Sequence, residues 1–338
     1  MATYQFQPTH YFTAIGDYPP VLRIAPGDTV ITSTVDAAGG DQHGKHITPG
    51  GNPQTGPFFV EGANPGDTLI IHLDRLSPSR STGLTRTIIS RQVFDPPSAQ
   101  THLREAIADW DLDVTRGIGT MRPSAVIPHS LAVPLAPMLG CFGVAPTRSQ
   151  IVSGTALLIR RRRWPRHFFA SGGRAISTAT SGPYGGNMDY RGFGPGTTIY
   201  LPVFTSGALL FLGDGHAAQG DGEILGTGIE TSFEVQFTVD LHKGHRIGWP
   251  RGENAQYLFT VGNAYPLQVA LRHATTEMYL WLQEQYQLDP RTISVLMGMG
   301  VEYEVGNVYN PAYTMICKLP KHILADLAPT PLSPDTEG

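Results

Sequence analysis

ALLFLGDGHAAQGDGE, residues 208–223, passes from an apolar run into a segment with two aspartates, a glutamate, a histidine and a glutamine set among four glycines. The first six residues have strand composition, so Asp214 and His216 are expected at the end of a strand or in the turn beyond it, where alternate residues share a face. Gly213, Gly215, Gly220 and Gly222 leave the backbone free to bend, so that Asp214, His216, Gln219, Asp221 and Glu223 can converge. One imidazole among hard carboxylate oxygens suits Zn²⁺, or another divalent ion where oxygens dominate. The spacing is not that of an EF-hand loop. The plainer reading is a tight turn whose polar groups cap one another.

The same strand signal recurs along the chain. TVITSTV (29–35), TLIIHL (68–73), TTIYLPVF (197–204), SFEVQFTVDL (232–241) and YLFTVG (257–262) are β-branched or apolar runs bounded by turn residues, which predicts a mainly β protein. PGDT followed by an apolar residue and Ile occurs at 26–31 and 65–70, each a turn that launches a strand. One segment departs from this pattern. Leu267, Leu271, Ala274, Met278, Trp281 and Leu282 recur at steps of three and four, which predicts a core-facing helix over 267–287. Asp289 and Pro290 then cap and open a shorter helix running to about 298. The ending APTPLSPDTEG reads as a polar, unstructured tail.

The 338 residues suffice for a sizeable core without disulfides or a structural metal. A formal net charge of −4 gives no global field toward nucleic acid or anionic membrane. The local exception is 147–171, which contains four consecutive arginines at 160–163 followed by Trp164, Phe168 and Phe169. Such a run can track a nucleic-acid backbone while its aromatics stack on bases, but the acidic balance elsewhere favours a solvated loop or an oligomer contact, with no nucleic-acid partner. Cys141 and Cys317 lie in apolar settings, as packed thiols do. No charged leader and no apolar span of about 20 residues is present, so a soluble, cytoplasmic protein is expected. The organisation read from these patterns is a β-rich part at 1–146, a basic insertion-like segment at 147–171, a β-rich part with two C-terminal helices at 172–324, and a tail at 325–338.

Two further clusters combine Asx residues with glycine: GPYGGNMD (182–189), with Asn187 and Asp189, and VDAAGGDQHGKH (35–46), with Asp36, Asp41, His43 and His46. Each alone reads as an ordinary turn. No Gly-x-Ser-x-Gly elbow, Ser-x-x-Lys, phosphate-binding loop or Rossmann glycine pattern is found. Metal-activated water is the hydrolytic route left in best standing.

Taken together, NPQTGPFFVEGANPGDTLIIHL (52–73), PLAPMLGCFGVAP (134–146), GGNMD (185–189), GDGHAAQGDGE (213–223) and VYNPAYTMICKLPKHIL (308–324) resemble the acetamidase/formamidase family, in the family's order and over nearly the whole chain. The resemblance implies hydrolysis of short aliphatic amides to a carboxylate and ammonia. It also implies a jelly-roll-like β-sandwich with a smaller α+β portion near the C-terminus, and assembly as a homo-oligomer. Two departures stand out: Tyr184 where members often carry histidine, and the basic segment where members run on directly. The mechanism expected from these residues is a divalent ion, zinc with calcium as the alternative, held by Asp36, Asp189, Asp214 and His216. Glu223, or else Glu61, acts as the base. Asn187 and Gln219 bind the amide, and Phe58 and Phe59 restrict the pocket to small acyl groups. The competing expectations are a cupin-type metal enzyme, which usually shows His-x-His, and a non-catalytic small-ligand-binding protein on the same scaffold.

Overall fold

A computed structural model of the chain describes residues 1–95, 103–160 and 173–327. Those residues form a mainly β protein with two large sheets packed face to face. In spatial order the larger sheet runs Thr3–Phe6, Thr29–Ser33, Phe233–His242, Thr68–Pro78, Thr198–Pro202, Arg251–Glu253, Tyr257–Ala264, Tyr313–Pro320 and Glu302–Asn307. The second runs Ser181–Gly182, Gly185–Asn187, Met138–Gly143, Leu210–His216, Gln54–Val60 and Leu22–Ile24. Both draw strands from the 1–146 and 172–324 parts. A smaller sheet of Leu131–Pro134, Ile118–Met121, Ile107–Asp113 and Thr82–Arg86 flanks them.

The strand at the centre of the fold follows the period of two. Phe233, Val235, Phe237 and Val239 are buried between the sheets, while the intervening side chains are less covered. Its neighbour buries Leu69, Ile71 and Leu73 and then Leu76, out of phase. The cause is a bulge: Gln236 opposes Arg75 and Phe237 opposes Leu73, so Asp74 is the extra residue and the alternation resets beyond it. Both PGDT turns are built alike, with Gly27 and Gly66 in the left-handed region. Asp28 and Asp67 each accept from the main-chain N–H three residues back, Ala25 (2.9 Å) and Asn64 (2.7 Å).

Three α-helices occur among the described residues: α1 Arg148–Arg160, α2 Leu267–Tyr286 and α3 Pro290–Gly300. In α2 the buried face is Ala270, Ala274, Met278, Trp281 and Leu282, joined by Glu277; Leu267 and Leu271 lie at its half-covered margin. This face packs on Leu258, Cys317 and Leu319 of the larger sheet. Gly262 permits the approach, since a β-carbon there would fall 1.9 Å from the Ala270 carbonyl oxygen. Asp289 caps α3 through the N–H groups of Arg291 and Thr292. The basic segment begins as α1, anchored by Ile151 and Leu158. Its continuation with Arg161–Arg163, Trp164, Phe168 and Phe169, and the tail from residue 328, lie outside the described residues. No helix among the described residues is long and apolar enough to cross a membrane.

Tyr184 belongs to the main core and is 2% exposed. Its hydroxyl has no hydrogen-bond partner among the described residues, and burial raises its pKa. Because an unpaired buried hydroxyl costs about 1–3 kcal/mol, Tyr184→Phe is expected to stabilise the protein by about 1 kcal/mol, read from the urea midpoint. A destabilised variant would show that the hydroxyl has a partner in solution.

Candidate active site

The strand Leu210–His216 is buried along its whole length, and it delivers Asp214 and His216 to one point. Asp214 takes the left-handed conformation (φ 59°), a strained choice for a non-glycine residue that re-aims its carboxylate. Oδ1 of Asp214 lies 3.5 Å from Nε2 of His216. On the neighbouring strand, Gly140 faces this pair. A β-carbon there would fall 2.4 Å from Asp189 Oδ1 and 3.0 Å from Asp214 Oδ2, so only glycine leaves room for both carboxylates.

Asp189 follows the strand Gly185–Asn187 with φ 46°, its N–H held 3.0 Å from the Gly140 carbonyl. Its Oδ2 accepts from the side-chain amides of Asn307 (3.0 Å) and Asn310 (2.7 Å). The Asn307 amide also donates to Glu223, which closes a 3₁₀ turn at Asp221–Glu223. Glu230 arrives from the connection before Phe233–His242, with Oε1 2.9 Å from His216 Nε2. The side chain of Asn52 donates to Asp214 Oδ2 (2.7 Å) and to Asn187 Oδ1 (2.9 Å), and Gln54 in turn donates to Asn52 Oδ1 (2.7 Å).

Gln219 fixes the state of the histidine. Its amide nitrogen donates to the Asp189 carbonyl (2.6 Å), which leaves its oxygen to accept from His216 Nδ1 at 2.8 Å. With Nδ1 committed to Gln219, Nε2 is the ring nitrogen that faces the carboxylates. Despite the short approach of Glu230, His216 Nε2 has no hydrogen bond of good geometry among the described residues, and neither have Asp189 Oδ1 or Glu230 Oε2, all three buried. Two sets of donors, Asp189–His216–Glu223 and Asp214–His216–Glu230, each bring one ligand atom per residue within 4.8 Å of one another and share the imidazole.

Four buried carboxylates around one imidazole carry more negative charge than the protein itself neutralises. Burial, followed by Glu223 and Asp214, raises the Asp189 pKa well above the carboxylate range. Burial against the opposing pull of His216 pushes Glu223 up to about 8. Burial also raises Glu230. For His216, burial disfavours the cation, but Glu230 and Asp214 outweigh it and raise the pKa. A bound cation would relieve the same imbalance.

Asp214, Glu223, Glu230, Asn52, Asn187 and Asn310 form one wall of a cavity of about 280 Å³. The other expected site residues lie elsewhere. Asp36 accepts from Arg80 (2.6 Å) and from the N–H groups of Ala38 and Gly40, and belongs to neither donor set. Glu61 sits on an exposed turn. Phe58 packs in the core against Phe6 and Phe237, and Phe59 lies under the Arg23 guanidinium; neither lines the cavity. Gln219 orients His216 instead of lining the cavity. Asp221 pairs at the surface with Arg191 (2.7 Å). Glu230, Asn52, Asn307, Asn310 and Gly140 were not singled out from sequence. The Asn307 and Asn310 pair, flanking a tyrosine before proline, offered the one usable signal.

Fold and site together define a β scaffold with a buried carboxylate–imidazole centre opening on a small cavity. The chain belongs to the acetamidase/formamidase family, whose sequence profile matches residues 12–323. It is 42% identical to the acetamidase of Mycolicibacterium smegmatis over 84 residues, which are 25% of this chain and 20% of that one. It thus spans only a fifth of that relative. The acetamidase structure from Yersinia enterocolitica superposes with a TM-score of 0.75 at 30% identity, covering 96% of this chain and 93% of that one. The acetamidase structure from Bacillus halodurans gives 0.74 at 26% identity, covering 96% and 99%.

Proposed function

We propose that the protein is an amidase that hydrolyses short primary amides to a carboxylate and ammonia with the help of a divalent ion. The observation that carries the reading is the two buried donor sets that share His216, Asp189–His216–Glu223 and Asp214–His216–Glu230: Asp214, Glu223 and Glu230 line the cavity, and behind or beside them Asp189 Oδ1, His216 Nε2 and Glu230 Oε2 have no hydrogen bond among the described residues. Buried ligand atoms left without hydrogen bonds around a shared imidazole are atoms that a cation would satisfy. The donors suit the group: the imidazole favours zinc, and the carboxylates would also accept calcium. A divalent ion bound there would supply Lewis acidity toward the carbonyl and lower the pKa of water.

The residues do the rest. Glu223, aimed into the cavity, takes a proton from the attacking water and passes it to the departing nitrogen. The water oxygen bonds to the carbonyl carbon, the C–N bond breaks, and the nitrogen leaves as ammonia. Asn187 and Asn310 line the wall where the amide group would lie, while Leu84 and Ile107 give the acyl chain an apolar surface. Gln219 and Asn52 hold His216 and Asp214 in orientation, as outer partners of metal ligands do. The described donor sets contain one histidine, which speaks for this reading over a cupin-type centre built on His-x-His.

The test is ammonia release from formamide and acetamide. Turnover should stop after chelation and return with one divalent metal. The same metal at 100 times its Kd should raise stability by about 2.7 kcal/mol over the chelated protein, seen as a higher Tm. Turnover that survives complete metal removal would remove the ion from the mechanism.

A further inference from the structure

The lining of the cavity also contains a cation that a small neutral amide does not need. Arg86 lines the 280 Å³ cavity together with Thr227 and Tyr309. It stands at the end of the strand Thr82–Arg86, paired with Ile107, and Thr227 holds its N–H at 3.0 Å. The guanidinium stacks 5.6 Å from the Tyr309 ring and donates through Nη1 to the Tyr309 hydroxyl. Its one acidic neighbour among the described residues, Glu105, is 3.9 Å away, beyond hydrogen-bond range, and half exposed. Nη2 has no protein acceptor among the described residues.

Space points the same way. Acetamide has four heavy atoms and displaces on the order of 100 Å³ of water, at roughly 30 Å³ per molecule, which leaves more than half of the cavity unfilled. Tyr309 also lines an adjoining cavity of about 600 Å³ together with Arg91, Arg160 and Glu105, and neither arginine has an acidic partner within 4.0 Å among the described residues. Arginines thus outnumber acidic residues around the adjoining cavity, whereas Asp214, Glu223 and Glu230 share the inner one with Arg86.

Building on the amidase reading, we propose that Arg86 is a specificity residue and that the preferred substrates are primary amides whose acyl chain ends in a carboxylate, that is, monoamides of short dicarboxylic acids. The amide group lies at the acidic wall, and the distal carboxylate lies against the fork of Arg86, whose planar donors match it in two parallel hydrogen bonds. Hydrolysis then gives a dicarboxylate and ammonia.

The probes are succinamate and 4-methylpentanamide, in which an isopropyl group replaces the carboxylate. The protein should favour succinamate by about tenfold or more in kcat/KM, and Arg86→Gln should lower that preference by a similar factor. Equal effects of the variant on both amides, or a preference for 4-methylpentanamide, would overturn the assignment while leaving the amidase reading in place. If no amide releases ammonia, the amidase reading fails instead, and calorimetry still decides the role of Arg86. Succinamate binding should weaken at least tenfold in Arg86→Gln and 4-methylpentanamide binding by no comparable factor; parallel changes would refute it. Should Arg86→Gln not fold, Arg86→Lys, which keeps the charge and loses the fork, is read in the same way.

Discussion

Glu223→Gln is expected to lose between about 10² and 10⁴ in kcat on acetamide, the usual contribution of a positioned acid–base group. The substitution keeps the shape of the side chain, and its oxygen can still accept from Asn307, so the fold should survive. It also takes one carboxyl group out of a crowded buried acidic cluster, so Tm should hold or rise while turnover collapses. Loss of turnover with unchanged substrate binding places Glu223 in the proton transfer. A variant within tenfold of wild type would move the role of base to Glu230 or Asp214.

The second large effect lies far from the chemistry. Arg251, 3% exposed, meets the buried Glu277 at 2.7 Å and Glu284 at 2.9 Å, and stacks 5.4 Å from the Trp281 ring. It is the link between the larger sheet and α2. Arg251→Met leaves the buried Glu277 carboxylate without its guanidinium partner, held only by the Gly248 N–H at 3.4 Å, which should cost about 3–5 kcal/mol in urea denaturation. Adding Glu277→Leu should recover most of that loss, because it removes the stranded charge as well as the pair. If the double variant is as unstable as the single one, the packing of Arg251 matters and its charge does not.

Glu277 also marks a limit of reading the chain unaided. The period of α2 was legible because Ala274, Met278, Trp281 and Leu282 repeat at helical spacing. A glutamate in the same stripe looks like solvent-facing surface until the sheet supplies Arg251 from 26 residues upstream. The strands were legible by alternation, but the bulge at Asp74 was not, since the change of phase between Leu73 and Leu76 resembles a lapse of pattern. In the site, Asp214, His216 and Glu223 could be found because they crowd into ten residues among glycines. Asp36 and Asp189 looked equivalent, both Asx residues beside glycine. What separates them is tertiary: Arg80 occupies the carboxylate of Asp36, whereas Asn307 and Asn310 hold Asp189 beside His216 and Glu223. Glu230 and Asn52 carry no local signal, since strand pairing alone brings them in.

The two asparagines on Asp189 have a consequence for how the protein comes into being. They reach it across 118 and 121 residues, so a ribosome must have delivered nearly everything described here before the centre can close. Earlier, the acidic side chains stand together without their clasp. The proposed centre is therefore among the last things this polypeptide makes, and on that proposal a nascent chain halted before residue 307 would be inert however well its first strands had paired.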